Sequence, residues 1–141
     1  MTPADTSANG GVPSSRLAEI AVPTGSRAPG AARQAVAHCI SRLVTPRILD
    51  DTQLLVSELV TNSLHHGDLG GGDSVLVRVY LQAECLRVEI ENPGAAGIVA
   101  LHRPGPEADR GFGLQLLERV AARWGVRRGQ TTTVWFDMAR A

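Results

Sequence analysis

Two runs, SVLVRVYLQ (74–82) and LRVEIEN (86–92), constrain this chain more than anything else in it. Each alternates in polarity, the second with Leu86, Val88 and Ile90 set against Arg87, Glu89 and Glu91. Period two is the mark of a half-buried β-strand, whose successive side chains point to opposite faces. The link Ala83-Glu84-Cys85 is short, so the two strands pair antiparallel as a hairpin. A hairpin with one apolar face does not stand alone in water and needs a second layer over that face.

Helical patterns supply the layer. APGAARQAVAHCISRL (28–43) places Ala35, Val36, Cys39, Ile40 and Leu43 on one face, and TPR (45–47) breaks it. A second helix runs from about Ile48 to His65 and ends at Gly67, Gly70, Gly71 and Gly72. GFGLQLLERVAARWG (111–125) reads as a third, with Leu114, Leu117, Val120, Ala121 and Trp124 as its apolar face. RLAEIAV (16–22) and TTTVWFDM (131–138) read as a first and a last strand, and residues 93–110, rich in Pro and Gly, as a long loop. The order strand, helix, helix, strand, strand, loop, helix, strand predicts an α+β two-layer sandwich. Its sheet is mixed, mostly antiparallel, with helices packed on one face. The start, MTPADTSANGGVPSS, reads as a disordered tail over 1–15, leaving 16–141 as a single domain.

Composition narrows the function. The 14 basic residues are all arginine and balance 14 acidic ones, so there is no basic excess of the kind nucleic-acid binding leaves. Without a lysine the chain has neither a P-loop nor the strand lysine of protein kinases, and no Schiff-base chemistry. Any nucleotide would have its phosphates held by backbone amides, arginine and a metal ion. No apolar run reaches the roughly 20 residues of a membrane span and no secretory signal opens the chain, so no membrane association and a cytoplasmic location are expected. Cys39 and Cys85 lack metal-type spacing and read as free thiols.

Within LLVSELVTNSLHHG (54–67), Glu58 and Asn62 interrupt an apolar helix. At about 100° per residue, Asn62 lies roughly 40° around the helix from Glu58, and both sit on an edge beside the core. A carboxylate and a carboxamide one turn apart can serve one ligand, the first accepting a proton and the second joining a Mg²⁺ shell. Such a pair on its own more often marks a solvated edge. Gly111-x-Gly113 before a helix suits a phosphate-binding turn or a plain loop-to-helix junction. His65-His66 suits a helix C-terminus better than a metal site.

Taken in order, SELVTNSLHHG, VEIENPG, a loop, GFGLQLLERVAARWG and TTTVWFDM resemble the Bergerat-type (GHKL) ATP-binding domain. They are most similar to its small bacterial subgroup, the anti-sigma-factor serine kinases, from about Arg16 to Met138. The resemblance implies ATP and Mg²⁺ as cofactors, Glu58 as general base and Asn62 as Mg²⁺ ligand. It further implies Gly111 and Gly113 as phosphate cradle beneath a lid formed by 95–110, and Thr133 as a lining of the adenine pocket. Arg110 is the arginine chosen to face the phosphates. The implied partners are a sigma factor and an anti-anti-sigma protein whose serine is phosphorylated, with a homodimer as the assembly.

One departure falls where adenine is selected. The family pattern Asp-x-Gly-x-Gly is here Asn92-Pro93-Gly94-Ala95-Ala96, so Asn92 and Gly94 stand at the base and an amide replaces a carboxylate. Asparagine can still pair with an adenine edge. Losing a charge-assisted hydrogen bond costs about 1.5–3 kcal/mol, roughly ten- to hundred-fold in affinity. The alternative is therefore a non-catalytic, nucleotide-weak module that regulates a partner by contact alone.

Overall fold

The computed structural model describes residues 15–66, 73–92 and 112–140, without the side chains of His66, Phe112, Gly113 and Leu114. Strand β1 (Ser15–Pro23) leads through a turn at Gly25, whose φ of 150° suits glycine, into α1 (Ala28–Ile40). Helix α1 starts with a proline in its first turn and turns Ala28, Ala32, Val36 and Ile40 inward at a spacing of four. Helix α2 (Pro46–His66) also opens on proline, and Thr45 caps it by accepting the Ile48 N–H at 3.2 Å. Strands β2 (Ser74–Leu81) and β3 (Cys85–Asn92) form the expected hairpin, Leu76 opposite Glu91 and Leu81 opposite Leu86.

The end of the chain departs from expectation. Helix α3 stops at Val120 (Phe112–Val120), and residues 123–128 form a further strand, β4 (Arg123–Arg128), before β5 (Thr132–Ala139). The spacing that put Trp124 on a helical face also fits a strand in which Trp124 and Val126 alternate with Arg123, Gly125 and Arg127. Pairing decides between them: Ala122 donates to the Asp137 carbonyl at 2.8 Å, and Trp124 lies opposite Phe136. Gly129 donates to the Thr131 carbonyl at 2.9 Å in the turn of this second hairpin. Trp124 is buried either way, at 1 % exposure.

The sheet is five-stranded in the order β1-β2-β3-β5-β4, and every described pairing is antiparallel rather than mixed. Val75, Val77 and Val79, Leu86, Val88 and Ile90, and Val134, Phe136 and Met138 face the helices. With Val36, Ile40, Leu55, Val56, Leu59, Val60 and Leu117 they make one core. Helix α2 packs on α1, on α3 and across β3 and β5. The arrangement is the two-layer α+β sandwich anticipated from the strand and helix periods.

The other face of the sheet is polar and largely buried. Asp137, 1 % exposed, accepts from Arg87 Nε at 2.7 Å, Arg87 Nη2 at 3.0 Å and Arg123 Nη2 at 2.8 Å. Arg87 is fully buried and stacks 4.2 Å from the centre of the Trp135 ring. Alongside, Arg78 bonds Glu19 at 2.9 Å, Glu89 at 3.4 Å and Glu91, while Arg127 reaches Glu89 at 2.9 Å. Burial pulls the Arg78 pKa down, but the hydrogen bonds to Glu91 and Glu19 outweigh it and leave the guanidinium above its usual range. Arg87, Glu89 and Glu91 thus point away from the helices, as their alternation requires, yet Arg87 and Glu89 are out of water.

Candidate functional site

Helix α2 carries a buried stripe of Thr52, Leu55, Val56, Leu59, Val60 and Ser63, with Glu58 and Asn62 half-buried beside it. Residues four apart on a helix have Cβ atoms about 5–6 Å apart, so the carboxylate and the amide can address one group. Three of the helix's hydroxyls are satisfied within it. Thr52 donates to the Ile48 carbonyl at 2.7 Å, Ser57 to Leu54 at 3.1 Å and Thr61 to Ser57 at 2.7 Å. Asn62 is the exception: its Nδ2 is buried with no hydrogen-bond partner among the described residues. An orphaned buried amide costs about 1–3 kcal/mol unless a ligand meets it.

A second polar group occupies one end of the sheet. Asn92 ends β3 and Thr132 begins β5, and the two are register partners. They continue the inward rows Leu86-Val88-Ile90 and Met138-Phe136-Val134, so both face the helix layer. Asn92 is 4 % exposed and Thr132 2 %, and Thr132 Oγ1 is buried without a partner among the described residues. The chain re-enters the sheet at this same end, since Ser74 lies just beyond the Leu76–Glu91 pair.

That register corrects one expectation. Thr133 faces the opposite side, paired across the strands with Glu91 and Arg127, and cannot share a pocket with Asn92. Thr132 is the threonine on the helix side. Counting back in twos from Met138, Phe136 and Val134 would have found it, but three consecutive threonines hid the phase. Gly113 lies in the first turn of α3 (Phe112–Val120). Gly94, Arg110, Gly111 and the proposed lid over 95–110 fall outside the described residues.

Magnesium usually takes one or two protein oxygens and fills its octahedron with phosphate oxygens and waters. Among the described residues no cluster of three or more His, Cys, Asp or Glu is placed to hold a metal. Asn62 suits the sparser demand once its carboxamide is turned over: the unpartnered atom is Nδ2, a donor, and the turn brings Oδ1, the end that can ligate a cation, to that position. Two open hollows lie elsewhere. One of about 380 Å³ sits between β1 and α1, against Val22, Gly25, Arg27 and Ala31. The other, about 440 Å³, lies between the start of α2 and the end of α3, against Thr45, Arg47, Asp51 and Arg119. Among the described residues no helix is long and apolar enough to cross a membrane.

The architecture is an open antiparallel sheet under helices, an α+β domain in which, among the described residues, the Thr132 hydroxyl at the sheet end and the Asn62 Nδ2 on the covering helix lack partners. Residues 23–138 match the family described as histidine kinase-like ATPase domain, and the chain belongs to that family. Solved structures that share the fold include two with named domains or partners. The RsbU and RsbW domains of Rv1364c from Mycobacterium tuberculosis superpose with a TM-score of 0.69 at 16 % identity, covering 88 % of this chain and 33 % of that one. The SiaB–SiaC complex from Pseudomonas aeruginosa gives a TM-score of 0.58 at 12 % identity, covering 88 % and 90 %. The chain therefore spans about a third of the first of these and most of the second. No curated protein matches it in sequence.

Proposed function

We propose that this chain binds Mg-ATP and phosphorylates a serine or threonine of a partner protein, acting as an anti-sigma-type regulator. The observation that carries the reading is the orphaned Asn62 amide one helical turn from Glu58, in a chain whose family is that of histidine kinase-like ATPases. Glu58 accepts the proton of the partner's hydroxyl as that oxygen attacks the γ-phosphorus. The bond from the γ-phosphorus to the β,γ-bridging oxygen breaks, and ADP leaves. Bound through Asn62, Mg²⁺ supplies positive charge to the phosphate oxygens. Asn92 and Thr132 hold the base end, while Arg110, Gly111 and Gly113 serve the phosphates. Orienting the hydroxyl and stabilising charge account for most of the acceleration of such transfers. The partner is a sigma factor or an anti-anti-sigma protein by the sequence resemblance, and the SiaB–SiaC complex is a fold relative seen with a partner bound.

A second reading is favoured by one residue. Asn92, standing where a carboxylate is expected, suits a module that keeps the fold and regulates by contact with little nucleotide affinity. Calorimetric titration with ADP and ATP, with and without Mg²⁺, separates the two. Micromolar, Mg-dependent binding that Asn62→Ala loses is the expected result. No heat at millimolar nucleotide leaves the contact-only module.

A further inference from the structure

We infer that the partner's phosphoacceptor segment lies extended along the exposed ridge of α2, with an apolar side chain on Leu54 and an acidic one in the arginine-lined hollow at the helix start. This names the substrate of the proposed kinase site and rests on that reading. At about 100° per residue, Arg47, Asp51 and Leu54 all fall within about 40° of Glu58 around the helix. They form one stripe that runs from the reacting hydroxyl toward the start of α2. Leu54 is 43 % exposed, and among the described large apolar side chains only Leu17 is comparably open. A lone exposed leucine needs no explanation. Leu54 gains a role from its place, one turn from Glu58 and next to the hollow of about 440 Å³.

The hollow sets the charge of what it takes. Arg47 and Asp51 line it from α2 and Arg119 from α3, together with Ile48 and Val120. Among the described residues none of these three charged side chains makes an ion pair or a side-chain hydrogen bond. Two guanidiniums beside one carboxylate leave a positive surplus that a single incoming carboxylate neutralises. Spacing sets the sequence of the segment. At about 1.5 Å per residue, Leu54 lies about 6 Å along the axis from Glu58, Asp51 about 10.5 Å and Arg47 about 16.5 Å. An extended chain advances about 6.7 Å in two residues and about 13 Å in four, and residues two apart share a face. With the hydroxyl at Glu58, the second residue along meets Leu54 and the fourth enters the hollow between Asp51 and Arg47. The segment therefore reads Glu-x-Leu-x-Ser or Ser-x-Leu-x-Glu, according to chain direction.

The test is phosphoryl transfer from Mg-ATP by the whole chain to short synthetic peptides centred on Glu-Ala-Leu-Ala-Ser and Ser-Ala-Leu-Ala-Glu. Counterparts carry arginine for the glutamate or alanine for the leucine. In one chain direction the glutamate peptide should exceed its arginine counterpart about tenfold in kcat/KM, and the leucine peptide its alanine counterpart about fivefold. These preferences need no variant to fold. Arg47→Glu combined with Arg119→Glu should reverse the first preference, and Leu54→Asp should erase the second; all three side chains are exposed. A charge preference that survives the double replacement puts the acidic group elsewhere and refutes the inference. Equal use of all peptides, or transfer to none by a chain that binds Mg-ADP in calorimetry, overturns it while leaving the nucleotide site in place. If Mg-ADP does not bind, the nucleotide reading fails and the inference with it. A dimer in light scattering that Leu54→Asp dissociates assigns the ridge to a second copy and rules out the partner segment there.

Discussion

Replacing Asp137 with alanine should be among the most damaging single changes to the sheet, although Asp137 lies on the face away from the core. The carboxylate is 1 % exposed and is shared by two arginines in different surroundings. The Arg87 side chain is fully buried, whereas that of Arg123 is 54 % exposed. Removing the carboxylate takes the buried Arg87 guanidinium from its ion-pair partner, and breaking a buried pair in this way costs about 3–5 kcal/mol. For a domain of this size that corresponds to a fall in melting temperature of roughly 10–20 °C. Arg123→Ala removes only the exposed partner and should cost about 0.2–1 kcal/mol. The double replacement Arg87→Met with Asp137→Leu removes both buried charges and should recover most of the loss, since a packed apolar pair replaces an ion pair at little net cost. Urea unfolding with a common m-value is the assay. If Asp137→Ala costs no more than Arg123→Ala, the buried pair does not hold the β3–β5 register and the reasoning fails.

Two further outcomes follow from the same physics. Thr132→Val deletes an unpartnered buried hydroxyl at constant shape, so it should leave stability unchanged or raise it by up to about 1 kcal/mol while weakening nucleotide binding; Thr133→Val, on the other face, should leave binding unchanged in the same titration. Burial pushes the Cys39 thiol above its ordinary pKa, and does the same for Cys85, with Asp137 adding to the effect. The thiolate is the reactive form, so alkylation by iodoacetamide at pH 8 should run several-fold slower in the native protein than in urea, and should accelerate as pH rises. Equal native and unfolded rates would contradict that burial.

Local pattern carried much of this protein. The alternation over 74–82 and 86–92 with a short link leaves one arrangement, because a shift of one residue would turn Leu86, Val88 and Ile90 to the wrong face. Pro29 and Pro46 mark the helix starts for a reason internal to the backbone. Glu58 and Asn62 were legible as an edge pair because helical angle is a property of the helix alone. Three matters were decided only by tertiary structure. Residues 121–125 carry an apolar spacing compatible with helix or strand, and it took the hydrogen bond from Ala122 to Asp137 and the pairing of Trp124 with Phe136 to make a strand of them. The phase of the three threonines depends on where β5 joins β3, which assigns Thr132 to the Asn92 side and Thr133 to the charged side. Finally, alternation says that Arg87 points away from the helices, but not that it is buried. Its burial comes from Asp137, Trp135 and Arg123, brought together by pairings between residues up to 50 positions apart. Period and propensity are written in neighbouring residues, whereas pairing partners and desolvation are set by residues far apart in the chain.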